Sequence, residues 1–587
     1  MTIGHRTISV LVAIVMAGSG MLSASAAPPR SKPLANRDVT PGLANVVRLG
    51  RMDPGQTMSV TVSVGLRKQA ALDHFIAAVS DPRSPSYGRY LRPAQFAALF
   101  GPSLSQVQQV VGYLRSQRLS VTSVSANRTL VQASGPARAV QAAFGVTLWN
   151  WHDPAQKRDF FGNDSQPVLP APLASAIVGV AGLNNHYQTH RIGKTLALKG
   201  AGMRLAGTGP NGGYTPAELK SAYDIAPLAA LGYQGNGQRL GLLELDGFSP
   251  TNISIYDGHY GLTAAPVTVV PVDGVSTNPG INQVEVELDI EVMHAIAPSA
   301  PITVWEGPNT DAGVLHTYNA MVLSDSTPAN STSWGLCEPT AGASQMLALD
   351  AIFKQAAAQG QSFFAASGDN GAYDCAGSNT LAVDNPAGDP YVTAVGGTRL
   401  ALSAGGGYFA ESAWSAAGRS QGSGGGLSQQ FSRPGWQAGP GVANVFSTQN
   451  RQVPDVALEG DPQTGYSVYT TSNGTTTWYV VAGTSAAAPA WAALAAILNQ
   501  YQLAAGGRGV NLGFANPALY QLGTASSPYP PFHDVTTGDN LYYFATVGWD
   551  YATGWGSYDA YNLVRDLTLP TLPPSLPQTP ARPSRER

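Results

Sequence analysis

The sequence predicts an α/β protein in which a mostly parallel β-sheet flanked by helices follows a smaller α+β domain. Short apolar runs alternate with helical patterns beyond residue 214, as strands buried on both faces and their crossover helices should. The 587 residues include 66 glycines and 43 prolines but only 12% charged residues, a composition typical of turn-rich α/β proteins. Net charge also changes sign along the chain, which indicates two domains.

The N-terminus has the pattern of a secretory signal, which we place at residues 1–26. A weakly basic start precedes the apolar run from Ile8 to Met16, and Ala24-Ser25-Ala26 is a small-residue cleavage site. No later apolar run is long enough to span a bilayer. We therefore expect a secreted protein without a membrane partner, in which Cys337 and Cys375, the two cysteines, are able to pair.

Residues 27–205 are predicted to form a compact α+β unit of ferredoxin-like type, with a linker at its end. Residues 28–50 read as a mobile lead-in, and residues 190–215 as an exposed linker open to proteolysis. The predicted strands are Met58–Val64, Leu119–Ser125 and Thr129–Ala133. The predicted helices are Gln69–Val79, Pro93–Phe100, Leu104–Gln117 and Ala137–Phe144.

The charges of the two halves favour binding between them. Residues 27–211 hold 20 basic and 7 acidic residues, whereas residues 212–587 hold 12 basic and 29 acidic residues. Opposite charge of this size promotes association of the two parts. Because the basic residues are dispersed rather than clustered, nucleic acid is not an expected partner.

Residues 206–567 are predicted to form the larger domain, and the Pro-rich segment 568–587 a disordered or trimmed tail. The domain begins with a helix start at Tyr214-Thr215-Pro216. Candidate core strands are Arg239–Leu245, Val267–Val272, Ile302–Glu306, Ser362–Ser367, Tyr391–Val395 and Tyr479–Val481. Candidate helices are Val284–Ile296, Leu315–Val322, Gln345–Ala358 and Ala486–Leu498.

Ser485 lies in Gly483-Thr484-Ser485-Ala486, between a strand-like stretch and a long alanine-rich helix. A serine at the start of a helix caps it well. The same position suits a nucleophile, because the free N–H groups of the helix N-terminus can stabilise an oxyanion. This stretch alone leaves both interpretations open.

The segment from Val284 to Val292 places four carboxylates in seven positions, with a pattern that fits a strand or a helix. In either case Glu285 and Asp289, four apart, share one face, and two adjacent carboxyl groups can hold a proton for exchange. A solvated acidic face is the alternative. His294 would lie about 140° around a helix from Asp289, so it is a poor partner for that face.

Asp369 follows the strand-like Ala365-Ala366-Ser367. Ligands bind at the carboxyl edge of open α/β sheets, so this carboxyl is a candidate for the site. An ordinary Asp-Asn-Gly turn is the alternative.

Three motifs together resemble the sedolisin family of serine-carboxyl peptidases, which share the subtilisin fold. They are Gly-Thr-Ser-x-x-x-Pro at 483–489, Glu-x-x-x-Asp at 285–289 and Ser-Gly-Asp-x-Gly at 367–371. Their order and approximate spacing match the family over nearly the whole chain. The resemblance implies a self-processing zymogen in which residues 84–96 carry the signature of the activation prodomain.

The resemblance also implies the catalytic roles. Ser485 would attack the scissile carbonyl, and Glu285 would act as its general base and then acid. Asp289 would set the proton affinity of Glu285, and a protonated Asp369 would donate to the oxyanion. Glu244 would extend the carboxylate chain. A carboxyl group donates only while it holds a proton, so we expect activity at acid pH.

The remaining implied positions concern substrate, Trp334, a disulfide and a metal. Trp334 would adjoin the carboxylate network. Ser333, Trp334, Gly335, Gly483 and Thr484 would line the substrate site, and Cys337 and Cys375 would form a disulfide. His533-Asp534-Val535 and Thr546-Val547-Gly548-Trp549-Asp550 resemble the family's site for one Ca²⁺. Its carboxylates would be Asp534 and Asp550, and its carbonyls those of Val535, Thr546 and Gly548, since calcium prefers oxygen ligands.

We therefore expect a monomeric secreted endopeptidase that acts on proteins and peptides and is inhibited by its own prodomain. Two alternatives are a neutral subtilisin-like enzyme with a histidine base and a catalytically dead binding protein.

Overall fold

The computed structural model describes residues 31–36, 38–192, 194–196, 207–375, 378–416, 418, 420–504, 511–527 and 529–568. The predicted signal peptide and nearly all of the predicted tail lie outside these residues. No helix within the described ranges is long and apolar enough to cross a membrane.

The N-terminal domain is built on two antiparallel sheets. The four-stranded sheet has the order β4-β5-β3-β9, and the three-stranded sheet has the order β2-β6-β7. The strands are β1 Ser31–Pro33, β2 Val47–Arg51, β3 Thr57–Val64, β4 Ser120–Val124, β5 Leu130–Pro136, β6 Leu148–Asp153, β7 Arg158–Asn163, β8 Val168–Pro170 and β9 Ile177–Ala181. The helices are α1 Gln69–Ser80, α2 Pro93–Leu99, α3 Leu104–Ser116, α4 Ala137–Phe144 and α5 Ala171–Ala174.

The prediction of a mobile lead-in at residues 28–50 is wrong for its described part. Leu34 is 2% exposed and packs in the prodomain core. The Asp38 carboxylate accepts a hydrogen bond from the Val180 backbone N–H at 2.8 Å. Polar, proline-containing sequence concealed these anchors, because each anchor is a single residue without periodicity.

The C-terminal domain is organised around a parallel sheet of the order β13-β14-β12-β15-β17-β19, with β20 antiparallel at one edge and β25 parallel beside β19. The helices before residue 360 of this domain are α6 Pro216–Ala222, α7 Ala226–Ala230, α8 Pro250–Tyr260, α9 Gln283–Ile296, α10 Asp311–Ser324, α11 Glu338–Ala341 and α12 Ala343–Gln359. The later helices are α13 Thr484–Ala504, α14 Asn516–Thr524 and α15 Ala560–Thr568.

The bounds of the strands agree with most of the predicted core strands. The sheet contains β12 Leu240–Glu244, β13 Val267–Pro271, β14 Ile302–Glu306, β15 Ala329–Thr332, β17 Ser362–Ala366, β19 Thr393–Leu402, β20 Tyr408–Ala413 and β25 Val456–Glu459. The other strands are β16 Trp334–Cys337, β18 Asp384–Asn385, β21 Ser415–Ala416, β22 Gln421–Gly422, β23 Gly426–Ser432, β24 Asn450–Val453, β26 Tyr466–Ser472, β27 Thr475–Ala482, β28 Phe532–His533 and β29 Ser557–Tyr558.

One predicted core strand is misplaced. Tyr479–Val481 lies in β27, which pairs antiparallel with β26 outside the parallel sheet. Its apolar residues resemble those of a buried parallel strand because β27 is buried where it reaches the active site. The central strand β15, in contrast, carries Asn330, Ser331 and Thr332 and gives no apolar run.

Side chains alternate between the two faces of the sheet. Leu240, Leu242 and Val304 pack with α9 and α13, whereas Leu243 and Trp305 pack with α10 and α12. The face toward α9 and α13 becomes the catalytic side at the carboxyl ends of the strands.

The prodomain packs on α12 and on the segment that follows α13. Its Leu72, Ile76, Phe96 and Phe100 form one apolar cluster with Ala357, Ala358 and Phe514. Within the predicted activation signature, the Leu91 backbone N–H donates to the Ala358 carbonyl at 2.9 Å, and the Tyr90 hydroxyl donates to the Asn511 carbonyl at 3.2 Å. The signature is therefore a docking segment for the larger domain.

Candidate active site

The nucleophile candidate Ser485 is the second residue of α13, and its hydroxyl makes no capping bond among the described residues, so the alternative that it only caps this helix is wrong. Gly483, which precedes the helix, has φ of +121°, a conformation that favours glycine. Ser485 is fully buried, and its Oγ has no hydrogen-bond partner among the described residues. The hydroxyl is thus held at the helix N-terminus without a structural bond of its own.

The ambiguous acidic segment is a helix, and it is buried along its whole length. Glu285 and Asp289 lie on one side of α9. Glu287 and Glu291 are engaged elsewhere: Glu287 accepts a bond from Asn252, and Glu291 accepts one from the Tyr469 N–H. A solvated acidic face is therefore excluded, because all four carboxyl side chains of this helix are buried.

Asp289 connects to the backbone of Ser485 through Ser333. The Ser333 hydroxyl lies 2.8 and 2.9 Å from the two carboxyl oxygens of Asp289 and 3.2 Å from the backbone carbonyl oxygen of Ser485. Burial raises the pKa of Asp289 well above its ordinary value, and the charges of Glu244 and Glu285 raise it further. This carboxyl consequently retains a proton far above the pH at which an exposed aspartic acid loses it.

Glu244, at the end of β12, is hydrogen-bonded to Asp289 and completes a line of three buried carboxyl groups. The Trp334 indole N–H donates to Glu244 at 2.7 Å. Burial raises the pKa of Glu244 well above its ordinary value, and the indole bond partly offsets the effect. Three acids this close share protons as a group, so their titration belongs to the group rather than to single residues.

Asp369 follows β17 and is hydrogen-bonded to the residue that precedes Ser485. The Thr484 backbone N–H donates to Asp369 Oδ1 at 2.8 Å, and the Thr484 hydroxyl donates to the same oxygen at 3.0 Å. Thr484, which we expected to line the substrate site, thus holds Asp369 in position. The carboxyl is buried, and it is fixed to the residue that precedes Ser485.

His294 takes no part in this arrangement. Its Nδ1 lies 3.0 Å from Asp257 on α8, on another side of α9. Ser333 and Glu244 are hydrogen-bonded to Asp289, and the Thr484 hydroxyl is hydrogen-bonded to Asp369.

The linker crosses the active site between two strands. His190 and Arg191 pair antiparallel with Gly335 and Trp334, and the Ile192 N–H donates to the Ser333 carbonyl at 3.1 Å. Beyond them Lys194–Leu196 pairs antiparallel with Val480–Ala482, the strand that leads to Ser485. An extended segment added to exposed strand edges is a common mode of peptide recognition.

The linker prediction therefore needs correction at this point. Residues 190–192 pair with the larger domain, and Ile192 is 3% exposed, whereas the His190 side chain remains exposed. The Arg191 guanidinium lies 3.8 Å from the Glu285 carboxyl. Sequence patterns missed this segment because its pairing partners lie far away in the chain and its own residues have no strand periodicity.

The structure also shows why position 335 is a glycine and how the two cysteines pair. A Cβ atom at Gly335 would lie 1.9 Å from the Asp384 carboxyl, so only glycine fits beside the linker. Cys337 and Cys375 form the predicted disulfide, with Cα atoms 5.2 Å apart. The disulfide joins the end of β16 to the segment that follows Asp369.

The residues predicted to hold calcium lie together near the C-terminus. The Gly548 N–H donates to Asp534 at 3.0 Å, and the Thr546 N–H donates to Asp550 at 2.9 Å. Burial raises the pKa of Asp550 to about 7. The described residues contain no group of three or more His, Cys, Asp or Glu side chains able to hold a metal. A cation here would thus depend on two carboxylates supplemented by backbone carbonyls.

Comparison with known proteins identifies the fold and its class. Residues 44–186 match the family model for the pro-kumamolisin activation domain, and residues 280–509 match the subtilase family. The chain is 34% identical to kumamolisin of Bacillus sp. (strain MN-32) over 530 residues, which cover 86% of this chain and 91% of that protein. The chain belongs to the sedolisin family.

Two further relatives support the assignment to the sedolisins. Sedolisin of Pseudomonas sp. (strain 101) is 31% identical over 536 residues, 87% of each chain. A structure of Pseudomonas sedolisin, a serine-carboxyl proteinase complexed with pseudo-iodotyrostatin, superposes with a TM-score of 0.52 and 29% identity. The superposition covers 60% of this chain and 97% of the Pseudomonas sedolisin chain. The chain is therefore a serine-type peptidase with a subtilisin-like fold and an activation prodomain.

Proposed function

We propose that this sedolisin is a secreted endopeptidase that works at acid pH with Ser485 as nucleophile and Glu285 as general base. The observation that carries the proposal is that carboxyl groups, rather than an imidazole, adjoin the nucleophile. Ser333 joins Asp289 to the Ser485 backbone, and Thr484 joins Asp369 to the same turn. Ser333 contacts the backbone carbonyl of Ser485, and Thr484 directly precedes Ser485 in the chain.

In the proposed reaction Glu285 accepts the proton of the Ser485 hydroxyl as its Oγ attacks the scissile carbonyl carbon. Glu285 then returns that proton to the leaving amine, and a water molecule repeats the sequence on the acyl-enzyme. Asp289 and Glu244 supply the buried partners that set the proton affinity of Glu285. Trp334 fixes Glu244.

Asp369 would donate a hydrogen bond to the oxyanion of the tetrahedral intermediate. Donors aimed at developing charge in a buried site lower the barrier most, because they need no reorganisation during the reaction. A carboxyl group can donate only when it is protonated, so this contribution disappears as pH rises. Activity should therefore fall toward neutral pH, unlike that of an enzyme with a histidine base.

The linker supports a substrate class of extended polypeptide. It pairs antiparallel with Ser333–Gly335 and, further along, with Val480–Ala482. A bound polypeptide in the same position would therefore also be extended and antiparallel to both of these segments. Ile192 is the linker residue bound to the Ser333 carbonyl, and its side chain joins the main apolar core cluster. We expect a preference for apolar side chains at this position of the substrate.

Self-processing tests the proposed function directly. Incubation of the full-length precursor near pH 4 is expected to cleave the bond after Ile192, since this bond lies between the two paired segments of the linker. Incubation near pH 7.5 should give at most slow cleavage, because the proposed mechanism requires a protonated Asp369 as oxyanion donor. N-terminal sequencing and mass spectrometry measure the site. Fastest processing and peptide hydrolysis above about pH 7 would contradict the carboxyl mechanism.

The prodomain is proposed to act as an intramolecular inhibitor until the linker is cut. Its linker occupies the strand edges that a substrate needs, and Arg191 lies beside Glu285. The opposite net charges of the two domains would assist binding near neutral pH, and protonation of carboxylates would weaken it in acid. The signal-like N-terminus, outside the described residues, supports secretion.

We further propose that one calcium ion binds at Asp534 and Asp550 with the carbonyls of Val535, Thr546 and Gly548. Asp550 is buried, and its carboxyl accepts only backbone N–H and hydroxyl donors among the described residues. A hard cation would offset the cost of burying this charge. When bound, the ion would fix the loop that carries these ligands.

Calcium removal is expected to lower the melting temperature of the protein by several degrees, because a ligand that binds only the folded state stabilises it. Asp550→Asn should abolish the increase of the melting temperature with calcium concentration. Asp539→Asn, in the same region, is the matched control, since among the described residues the Asp539 side chain accepts a single local hydrogen bond, from the Leu541 N–H. Thermal unfolding of the wild type that is independent of calcium would contradict the site.

A further inference from the structure

Glu306 is a buried carboxyl group on the catalytic side of the sheet. It ends β14, and it pairs in register with Glu244 at the end of β12. Paired residues of parallel strands face the same way, and Val304, two residues earlier, packs on the α9 side. Glu306 therefore lies on the same face as Glu244, and it is 1% exposed.

The contacts of Glu306 do not explain its burial. Neither of its carboxyl oxygens has a hydrogen-bond partner among the described residues. Glu287, another buried acid, accepts bonds from Ser249, Asn252 and Thr470. A buried polar group without a partner destabilises a fold, so Glu306 needs a reason other than stability.

The neighbouring elements present acids to Glu306. The strand β12 provides Glu244, and the turn after it provides Asp246; α9 provides Asp289 and Glu285 beyond Glu244. The other neighbour, β13, has no ionisable residue between Val267 and Pro271. A basic residue, Arg191 of the linker, lies at the far end of this set of acids, 3.8 Å from Glu285.

The charges couple these groups. Burial raises the pKa of Glu306 to about 7, and the charge of Asp246 adds to that effect. The charge of Glu306 in turn is one of the causes that raise the pKa of Glu244. The Asp246 carboxyl is held in place by hydrogen bonds from the backbone N–H groups of Gly247, Gly280 and Asn282.

We propose that Glu306 is a positioning residue of the active site, whose charge keeps the proton shared by Glu244 and Asp289 in place as pH rises. The inference rests on the proposed function, since it concerns the same carboxyl line. No bond is made or broken at Glu306. It acts through Glu244, by making loss of the shared proton less favourable whenever Glu306 is ionised.

Glu306→Gln in the full-length chain tests this role. Loss of the shared proton would contribute to the upper limb of kcat/KM against pH together with loss of the Asp369 proton. In Glu306→Gln this limb is expected to move to lower pH by up to about half a unit, because a neutral amide no longer holds the shared proton at the pH values where Glu306 is ionised. The rate on the acid plateau should stay within about twofold, since Glu306 is then protonated and neutral. Asp559→Asn is the matched control: burial also raises its pKa to about 7, and its side chain contacts Asn562 on α15 and Asp224, neither of which belongs to the carboxyl line.

Two further measurements keep the test decisive. Glu306→Asp retains the charge and should preserve most of the wild-type limb. Loss of a carboxyl with a raised pKa removes a penalty that grows as pH rises, so Glu306→Gln should increase the melting temperature more at pH 7.5 than at pH 4. An unmoved limb in Glu306→Gln, or an equal shift in Glu306→Asp, overturns the inference. An active Ser485→Ala enzyme would instead overturn the proposed function.

Discussion

Ser485→Ala is expected to abolish self-processing and to lower kcat by about ten-thousandfold or more, because no acyl-enzyme can form. The change removes one buried oxygen that has no hydrogen-bond partner among the described residues. It should therefore leave the melting temperature nearly unchanged. Peptide hydrolysis at acid pH and gel analysis of the precursor measure the two effects.

Ser254→Ala provides the matched control for that experiment. Ser254 lies on α8, where its hydroxyl donates only to the Pro250 carbonyl. The Ser254→Ala precursor should be processed like the wild type. Intact processing by Ser485→Ala would show that another group performs the cleavage, whereas precursor that stays uncut in both the wild type and Ser485→Ala would favour an inactive binding protein.

The precursor of Ser485→Ala should also retain its prodomain. The docking surface includes the apolar cluster of Leu72, Phe96 and Phe514, which cleavage of the linker does not remove. Inhibition and processing are thus separable. The linker blocks the strand edges of the active site, while the apolar cluster holds the domain in place.

Sequence patterns predicted elements that have a strong local signal. The exact bounds of α4 and β14 follow from apolar periodicity, as do those of α9 within one residue. The pattern of α9 was ambiguous because both its faces are buried, so its apolar residues do not form a single stripe. Only the fold decides that Glu287 and Glu291 bind the β26 side while Asp289 faces Ser333.

Long-range contacts account for most of what could not be predicted. The order of the strands places Glu306 beside Glu244, although 61 intervening residues, which form the helices α8 and α9 and the strand β13, separate them in the sequence. The pairing of Arg191 with Trp334 depends on a similar return of the chain. No local rule marks a lone glutamate at a strand end or a short linker strand, because their partners are set by topology.

In the proposed mechanism, the three buried carboxyl groups of Glu244, Asp289 and Glu285 would make both the enzyme and its zymogen respond to pH. Protons on Asp289 and Glu244 remain bound far above the ordinary range, because burial disfavours their charged forms. The linker places Arg191 beside this group only in the precursor. Its removal takes a positive charge away from Glu285, so the mature site should bind its protons more tightly than the zymogen does.

Glu285→Gln is expected to lower kcat by about a thousandfold to ten-thousandfold at acid pH, with a smaller effect on KM. An amide cannot accept the Ser485 proton, yet it has nearly the same shape as the carboxyl group. The loss should persist at every pH, because no titration restores a base to this position. Steady-state kinetics on a soluble peptide between pH 3 and pH 7 measure both constants.

The helix itself provides the matched control. Glu287→Gln alters a buried carboxyl two residues away on α9 that binds Ser249, Asn252 and Thr470. Its amide should cost stability but leave kcat within a few fold, since it touches no residue of the catalytic line. Equal losses of kcat in the two variants would mean that burial of charge in α9, rather than proton transfer at Glu285, governs the rate. A loss confined to Glu285→Gln assigns the base to this carboxyl and excludes His294, which both variants retain.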